Sequence, residues 1–202
     1  MRSIFEGTFD VFEALEGHNR IRILPPTWEG ARHYGVDLWL HFGVRPDKQK
    51  YLCMAKTENG GWWCRMCDEA RLANSDGDVD MRPKRQVLMW VIDREDEDAG
   101  PKLYTMHWTL DRDILKLSYD EDSESCLMVE DPDDGYDLTF ERKGGIGLTT
   151  EYGAVSVARK PSLISGDQKR QEEWLEFIQD NPIPQILEYE KHRQCLRKEG
   201  TS

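Results

Sequence analysis

One histidine and three cysteines in the first third of the chain have a spacing that strongly constrains the local fold. His41, Cys53, Cys64 and Cys67 form the pattern H-x11-C-x10-C-x2-C. A Cys-x2-Cys turn can present two thiolates to one ion, and zinc prefers four tetrahedral ligands drawn from thiolate and imidazole. Because four protein ligands leave no open position for water or substrate, the pattern predicts one zinc ion with a structural role.

Two other interpretations of these residues can be compared with the structural zinc site. In the first, which stays open, Cys53 is a buried core cysteine and only Cys64 and Cys67 have a role beyond packing. In the second, the residues form the zinc site of a deaminase, which requires His-x-Glu and Pro-Cys-x-x-Cys. Gly43 stands two residues after His41 and Trp63 directly precedes Cys64, so both the catalytic glutamate and the proline are missing. The sequence therefore excludes the deaminase.

The length and cysteine content of the chain indicate its general class. Its 202 residues are enough for one domain with a hydrophobic core. It has no apolar window of about eighteen residues, so we expect no membrane span. Its first residues lack the apolar run of a signal peptide. Five cysteines with metal-like spacing and no export signal predict a reducing cytoplasm rather than a disulfide framework.

The net charge of −12 argues at first against a nucleic-acid partner. The charge is unevenly distributed, however. Residues 120–137 carry nine acids and no base, whereas residues 20–66 carry eight bases against four acids. Because a binding face needs only its own surface to be positive, the overall acidity does not exclude nucleic acid.

Hydrophobic periodicity predicts a mainly β protein with helices near its end. Alternation in 36–42 places Leu38 and Leu40 on the core side and Trp39 with His41 on the other side. The apolar run 86–93 predicts a central strand. We expect further strands at 20–24, 50–53, 101–108, 136–142 and 147–159, a short helix and loop within 68–80, and helices at 109–118, 167–180 and 184–197.

Short antiparallel strands with one intervening helix suit a small closed barrel such as an OB-fold, with a β-sandwich as the alternative. We therefore expect a mainly β fold with α-helices, built on an OB-fold-like β-barrel. The predicted parts are an N-terminal segment at 1–18, a barrel core at 19–45 and 86–165, an inserted zinc-binding subdomain at 46–85 and a C-terminal helical segment at 166–202.

Aromatic and basic residues are interleaved along the predicted strands. Proteins that bind single strands without sequence preference combine exposed aromatic rings with a basic groove along the phosphates. Each aromatic residue alone is more simply a core residue, and Trp39 is the strongest candidate because its neighbours take the core side. The candidate contacts are Arg20, Arg22, Arg32, Tyr34, Trp39, Lys48, Lys50, Trp62, Lys84, Arg85, Lys102, Tyr104, Arg142 and Tyr152.

The remaining motifs are less specific. The acidic segment 120–137 is most simply a solvated surface, although it could mimic nucleic acid or guard a basic groove. Arg82-Pro83-Lys84-Arg85 is too short for a localisation signal but could hold phosphate. The sequence has no nucleophile–base pair, Gly-rich phosphate loop or acidic pair at metal-ion spacing. We therefore expect a protein that is not an enzyme.

The ordered combination of motifs resembles a known family, the zinc-containing single-stranded-DNA-binding (helix-destabilising) proteins of T-even-type bacteriophages. The resemblance covers roughly residues 19–190. It rests on an Arg-Ile-Leu-Pro entry strand, the His41, Cys53, Cys64 and Cys67 set, a Val-Ile-Asp strand end, the run Asp131-Pro132-Asp133-Asp134-Gly135-Tyr136-Asp137-Leu138-Thr139-Phe140-Glu141-Arg142, Thr149-Thr150-Glu151-Tyr152 and a Pro-Ile-Pro segment.

The resemblance implies an OB-fold core with an inserted zinc subdomain and an aromatic-lined cleft for single-stranded DNA. It also implies a role in phage DNA replication, recombination and repair in the bacterial host cytoplasm, with replication or recombination proteins as further partners. Two features of the family, a basic N-terminal arm and an acidic C-terminal tail, have no counterpart here. Residues 1–18 hold Arg2 as their only Lys or Arg, and the chain lacks an acidic C-terminal tail.

A function of another class remains as the alternative. A zinc-stabilised protein-interaction or transcription-regulatory module could use the acidic segment 120–137 as its contact surface. The residues do not specify an oligomeric state.

Overall fold

The computed structural model describes residues 5, 7–42, 50–57, 62–74, 82–122, 124–144 and 150–199, with the side chains of 73–74 and 194–199 excepted. Lys48, one of the predicted nucleic-acid contacts, lies outside the described residues. The first residues of the strand expected at 147–159 lie outside them as well.

Seven of the described strands form one sheet in which each pair of neighbouring strands is antiparallel. The sheet order is β3-β2-β4-β1-β8-β9, and β5 pairs with β4. The bounds of these strands are β1 Gly17–Ile23, β2 Val36–Phe42, β3 Lys50–Leu52, β4 Lys84–Asp93, β5 Lys102–His107, β8 Asp137–Lys143 and β9 Glu151–Val157. The long strand β4 is central because it pairs with β2 along its first half, with β1 at its end and with β5 on its other edge.

The fold is mainly β with helices, as expected, but the described strands do not close into a barrel. The strands at the two ends of the sheet order, β3 and β9, do not pair with each other among the described residues. The edge of β5 away from β4 is bridged at one residue, since the Leu103 N–H donates to the Asp10 carbonyl and the Leu103 carbonyl accepts from the Phe12 N–H, both at 2.8 Å. The closed barrel predicted from the sequence is therefore not found in the described part of the chain.

Four of the described α-helices lie close to predicted positions, whereas the short helix Met54–Thr57 was not predicted. The helix bounds are α1 Met54–Thr57, α2 Arg65–Asn74, α3 Trp108–Ser118, α4 Gln168–Asp180 and α5 Ile183–Glu199, with a short 3-10 helix at Glu97–Ala99. The acidic segment also contains a small hairpin that periodicity does not predict, formed by β6 Tyr119–Asp120 and β7 Ser125–Cys126. Within the described residues, none of the helices combines the length and the apolar character needed to cross a membrane.

The two faces of the sheet bury separate hydrophobic clusters, which explains the nearly continuous apolar run of β4. Leu88, Trp90 and Ile92 face one cluster together with residues of α4 and α5. Val87, Met89 and Val91 alternate with them and face the second cluster together with residues of α3. The sheet therefore lies between α3 on one face and the two C-terminal helices on the other, and α4 and α5 share a core with the strands.

Candidate metal centre and the surface around it

The four predicted metal ligands are brought together by three neighbouring elements. His41 lies on β2, Cys53 directly follows β3, Cys64 directly precedes α2 and Cys67 lies in the first turn of that helix. The pairing of β2 with β3 sets His41 opposite Tyr51. The backbone N–H of Cys53 donates to the carbonyl of Trp39 at 2.7 Å. Cys53 is thereby fixed beside the polar face of β2.

The distances within this cluster fit a single tetrahedral ion. The ligand atoms of the four side chains all lie within 4.8 Å of one another. Cys53 Sγ is 3.5 Å from Cys67 Sγ, and the Sγ atoms of Cys64 and Cys67 are each 3.6 Å from His41 Nε2. For metal–ligand bonds typical of zinc, the edges of a tetrahedron are roughly 3.8 Å between sulfurs and 3.6 Å between sulfur and nitrogen.

The cluster also has the protonation chemistry of a metal site. The hydrogen bond from the Cys53 thiol, helped by His41, lowers the pKa of Cys64 to about 3. The same hydrogen bond, followed by burial, raises the pKa of Cys53, whereas burial raises the pKa of Cys67. A bound cation would favour the thiolate form of all three cysteines.

Cys53 belongs to the cluster and is not simply a core cysteine. It is fully buried, but its sulfur points toward Cys67 and Cys64. His41 is also fully buried, with Met66, Trp39 and Tyr51 packed around the site. Four side chains of His/Cys type are therefore close enough to hold a metal ion. The identity of that ion stays a prediction.

Three tryptophans surround the metal centre. Trp39 is half-buried against the cluster, and the Lys56 ammonium lies 4.4 Å from the centre of its ring. Trp62 and Trp63 are 56% and 68% exposed, which is unusual for the largest apolar side chains. The indole Nε1 of Trp63 donates to Asp68 Oδ2 at 2.7 Å, which ties that ring to the first turn of α2.

Three of the predicted nucleic-acid contacts are wrong because their side chains are buried. Arg22 has no exposed surface, and its guanidinium donates to backbone carbonyls of Val129, Asp131, Tyr136 and Ser162. Tyr34 and Tyr104 are also buried, in the second cluster. A nucleic-acid strand cannot contact these buried side chains in this fold.

Three further predicted bases are engaged within the protein. Arg20 is exposed but forms an ion pair with Asp137, with Nη2 to Oδ2 at 2.6 Å. Lys102 is largely covered and pairs with Asp93 and Asp96. Arg142 donates to the carbonyl of Ala14 at 3.1 Å. Their charges thus stabilise loops and strand ends.

The other predicted contacts lie in various environments. Arg32 is exposed, whereas Lys50, Lys84 and Tyr152 are half-buried. Arg85 is exposed and lies directly opposite Trp39 in the pairing of β2 with β4. Trp39 and Arg85 are the predicted contacts that the sheet brings into register beside the metal centre.

The exposed side of α3 lies outside the sequence prediction. The pattern of this helix predicts Leu110, Ile114, Leu115 and Leu117 as its apolar residues, and only Leu110 and Ile114 are buried. Trp108, Arg112, Leu115 and Tyr119 follow each other at intervals of four, three and four residues. That spacing places side chains on one helix face, and it was the available signal for a second aromatic and basic surface.

Comparison with protein-family models and with curated proteins finds no match for this chain.

Proposed function

We propose that this protein binds single-stranded DNA with little sequence preference and that a structural zinc ion supports part of the binding surface. The observation that carries the proposal is the pair of exposed tryptophans, Trp62 and Trp63, beside the His/Cys cluster. Large exposed rings next to basic side chains suit stacking on unpaired bases, because every base offers a π-face.

The arrangement of charges near the cluster supports the same function. Lys56 lies over the ring of Trp39, and Arg85 is the strand neighbour of that tryptophan. Lys and Arg side chains in these positions could neutralise phosphates while the rings stack on bases. The acidic remainder of the protein does not prevent this, since phosphate binding depends on the local surface.

The family resemblance adds the biological part of the proposal. It suggests a role in phage DNA replication, recombination and repair, an OB-fold-like core and a site in the host cytoplasm. The segments 22–25 and 131–136, which both belong to the resemblance, meet around the Arg22 guanidinium. The resemblance therefore includes residues that contact one another in this fold.

In this proposal the zinc ion has no contact with DNA. When bound, it would supply four metal–ligand bonds that join β2, the end of β3 and the start of α2. The residues of the chain itself then position the aromatic rings. Cys64 would hold the ion and so anchor the chain next to Trp62 and Trp63, and the hydrogen bond from Trp63 Nε1 to Asp68 orients the second ring. His41 and Trp39 share one face of β2, so the metal centre also fixes the position of Trp39.

Fluorescence titration with oligo-dT tests the proposal directly. Stacking should quench tryptophan emission, and the affinity should fall as salt rises. Replacing Trp62 or Trp63 with Ala should weaken binding roughly 5- to 100-fold, given the typical contribution of one stacked base. Leu72→Ala, at an exposed apolar position of α2, is the matched control and should leave binding unchanged. The proposal fails if the intact protein shows no salt-sensitive binding.

A second candidate function rests on a different surface. Leu117, Leu127 and Met128 are exposed where α3 meets the β6–β7 hairpin. The hairpin carries the exposed acids Asp120, Glu121, Asp122 and Glu124. An apolar patch with an acidic border would suit a basic amphipathic segment of another protein. Binding of a synthetic Lys/Leu helical peptide, lost in Leu127→Asp, would favour this function, and absence of peptide binding would exclude it.

A further inference from the structure

A groove of about 390 Å³ runs along the exposed side of α3, next to β4. We call it the α3 groove. Its walls include Arg85, Trp108, Arg112, Leu115, Lys116 and Tyr119. Trp108 is 37% exposed and Tyr119 is 51% exposed, so both rings are accessible from solvent. The opposite side of the same helix is anchored by Leu110 and Ile114 in the second hydrophobic cluster. The groove therefore rests on a rigid support.

The groove contains three basic side chains. Arg85 donates two hydrogen bonds to Asp37, Nε to Oδ1 at 2.9 Å and Nη2 to Oδ2 at 2.7 Å, so it contributes charge to the groove while staying paired. Arg112 pairs with Asp113, and both side chains are well exposed, so a phosphate can compete with that carboxylate. Lys116 is exposed and forms no ion pair with the residues that the structure describes.

One acid, Asp111, also borders the groove. Its charge is compensated by two buried or half-buried side chains beneath the groove. Its carboxylate accepts a 2.7 Å hydrogen bond from the Tyr34 hydroxyl and lies 3.2 Å from His33 Nε2. Asp111 is buried, so it presents little surface to a ligand. The ligand therefore meets the three bases and the two rings.

The aromatic and basic groups in the groove are already paired with each other. The Arg112 guanidinium carbon lies 5.2 Å from the centre of the Trp108 ring. A cation over a ring in this way brings a phosphate-binding group next to a stacking surface. The pairing matches what a nucleotide offers, namely a charged phosphate and a flat base within one repeating unit.

The groove is continuous with the surface at the metal centre. Arg85, in its wall, is the register partner of Trp39. Residues opposite each other in an antiparallel pair point to the same face of the sheet. Trp39, Arg85 and α3 thus all lie on the face that buries the second cluster. A ligand could pass from the metal centre to α3 without crossing an edge of the sheet.

We propose that the α3 groove binds a segment of single-stranded nucleic acid, with bases stacked on Trp108 and Tyr119 and phosphates held by Arg112, Lys116 and Arg85. The proposal rests on the function proposed above and names a surface for it beyond the metal centre. The rival occupant is an acidic peptide, which the same bases would attract but which has no rings to stack.

Titration of the full chain with fluorescently labelled oligo-dT distinguishes these possibilities. Lys116→Glu should weaken binding at least about tenfold and reduce the slope of log K against log salt by about one. Trp108→Ala should weaken binding roughly 5- to 100-fold with the slope unchanged. Trp108→Phe keeps an aromatic ring and should restore most of the affinity, which guards against a general loss of structure.

The matched control is Lys169→Glu on α4, a well-exposed lysine on the opposite side of the sheet. It makes the same charge change, and we expect it to leave the affinity unchanged. If Lys116→Glu and Trp108→Ala bind as tightly as Lys169→Glu, the groove is not a binding surface, whereas the function proposed above stands. If the intact chain does not bind oligo-dT at all, both proposals fail. Binding of poly-glutamate but not oligo-dT through Lys116 would also overturn the inference.

Discussion

At the scale of single residues, the Arg22 guanidinium lies inside the protein among backbone carbonyls rather than carboxylates. It donates to the carbonyls of Val129 and Asp131 and, at 3.4 and 3.3 Å, to those of Tyr136 and Ser162. Burial lowers its pKa to about 10, so it stays charged at neutral pH. The acidic run around residue 131 therefore wraps a buried cation, and part of its sequence pattern has a structural cause.

Gly135 provides the space that this arrangement needs. A Cβ atom at this position would overlap both terminal nitrogens of Arg22 and the carbonyl oxygen of Asp131. We expect Gly135→Ala to destabilise the protein by about 1–3 kcal/mol, as overpacking usually does. Urea unfolding measures the difference. Gly153→Ala is the control, since a Cβ there meets nothing within 4 Å, and equal stabilities of the two variants would contradict the packing argument.

The contact between His33 and Asp111 predicts a pH dependence of stability. Burial alone would lower the pKa of His33, but the hydrogen bond and charge of Asp111 outweigh burial and raise it. A raised folded-state pKa means that this contribution to stability is complete below the unfolded pKa of about 6.5 and is lost as pH rises through the folded pKa. The contribution is therefore largest in mild acid.

The difference in unfolding free energy between the native protein and His33→Gln should therefore shrink as pH rises from about 5.5 to 8.5. In an Asp111→Asn background burial is no longer outweighed by that carboxylate, so the same difference should no longer shrink as pH rises. A constant difference in the native background would show that the two side chains are not coupled.

At the scale of secondary-structure elements, the metal centre joins short pieces of the chain. The strand β3 has three residues and α1 has four, and both lie next to a ligand. Elements this short are not stable alone, because each fixes many dihedral angles for few hydrogen bonds. Leu52 and Met54 attach them to the first hydrophobic cluster, and a bound ion would add direct metal–ligand bonds to that packing.

Removal of the metal should therefore destabilise the protein. We expect purified protein to contain one zinc per chain and a strong chelator to lower Tm by roughly 5–15 °C, which corresponds to a few kcal/mol for a chain of this size. Cys53→Ser should lose the metal and melt like the chelated protein. Cys126→Ser changes an exposed cysteine outside the cluster and should do neither. Melting that is insensitive to the chelator would show that the centre is not structural.

These elements also show how far the sequence alone can predict the fold. The strand β2 was predicted with its observed bounds, and its alternation correctly separated Leu38 and Leu40 from Trp39 and His41. The ligand set was predictable because its spacing is local. By contrast, alternation places Arg20 and Arg22 on one face, yet only Arg22 is covered. The segment that covers it is more than one hundred residues away, as the 107-residue separation from Val129 shows.

The aromatic residues show the same limit. Alternation of apolar and polar residues along β5 identifies a solvent-exposed face only if one face of that strand is not buried. Leu103 faces one cluster and Tyr104 the other, so both faces are buried. Local periodicity predicts the strand, but it does not predict that Tyr104 is buried. Exposed rings lie instead outside the sheet, among them Trp108 at the start of α3. The periodicity of that helix identifies its buried residues, Leu110 and Ile114, and not its exposed side.

At the scale of the whole molecule, opposite charges lie next to each other. The α3 groove ends at Tyr119, and the acidic hairpin begins with the same residue. Exposed charges interact over roughly 8–10 Å at physiological salt. If the α3 groove binds a nucleic-acid strand as proposed, the hairpin would repel phosphate at one end of it and limit the length of strand held there.

Neutralising Asp120, Glu121, Asp122 and Glu124 as Asn or Gln should tighten binding of oligo-dT. The effect should be greatest at low salt and disappear as salt screens the hairpin. The matched control neutralises four acids, Glu172, Glu173, Glu176 and Asp180, which are exposed on α4 across the sheet. An equal gain in both variants would mean that only the total charge matters and that the hairpin has no special position.

The order of the strands has a consequence for how the chain acquires its structure during synthesis. The strand β1 lies between β4 and β8, so both of its partners are made long after it. Ile21 and Ile23 of the first strand can pair with β4 only after Asp93 has been made, and the second partner strand is complete only at Lys143. The residues around the metal cluster span only 41–67 and can close a short loop much earlier. We expect the nascent chain to fold from this local loop outward, with the centre of the sheet completed last.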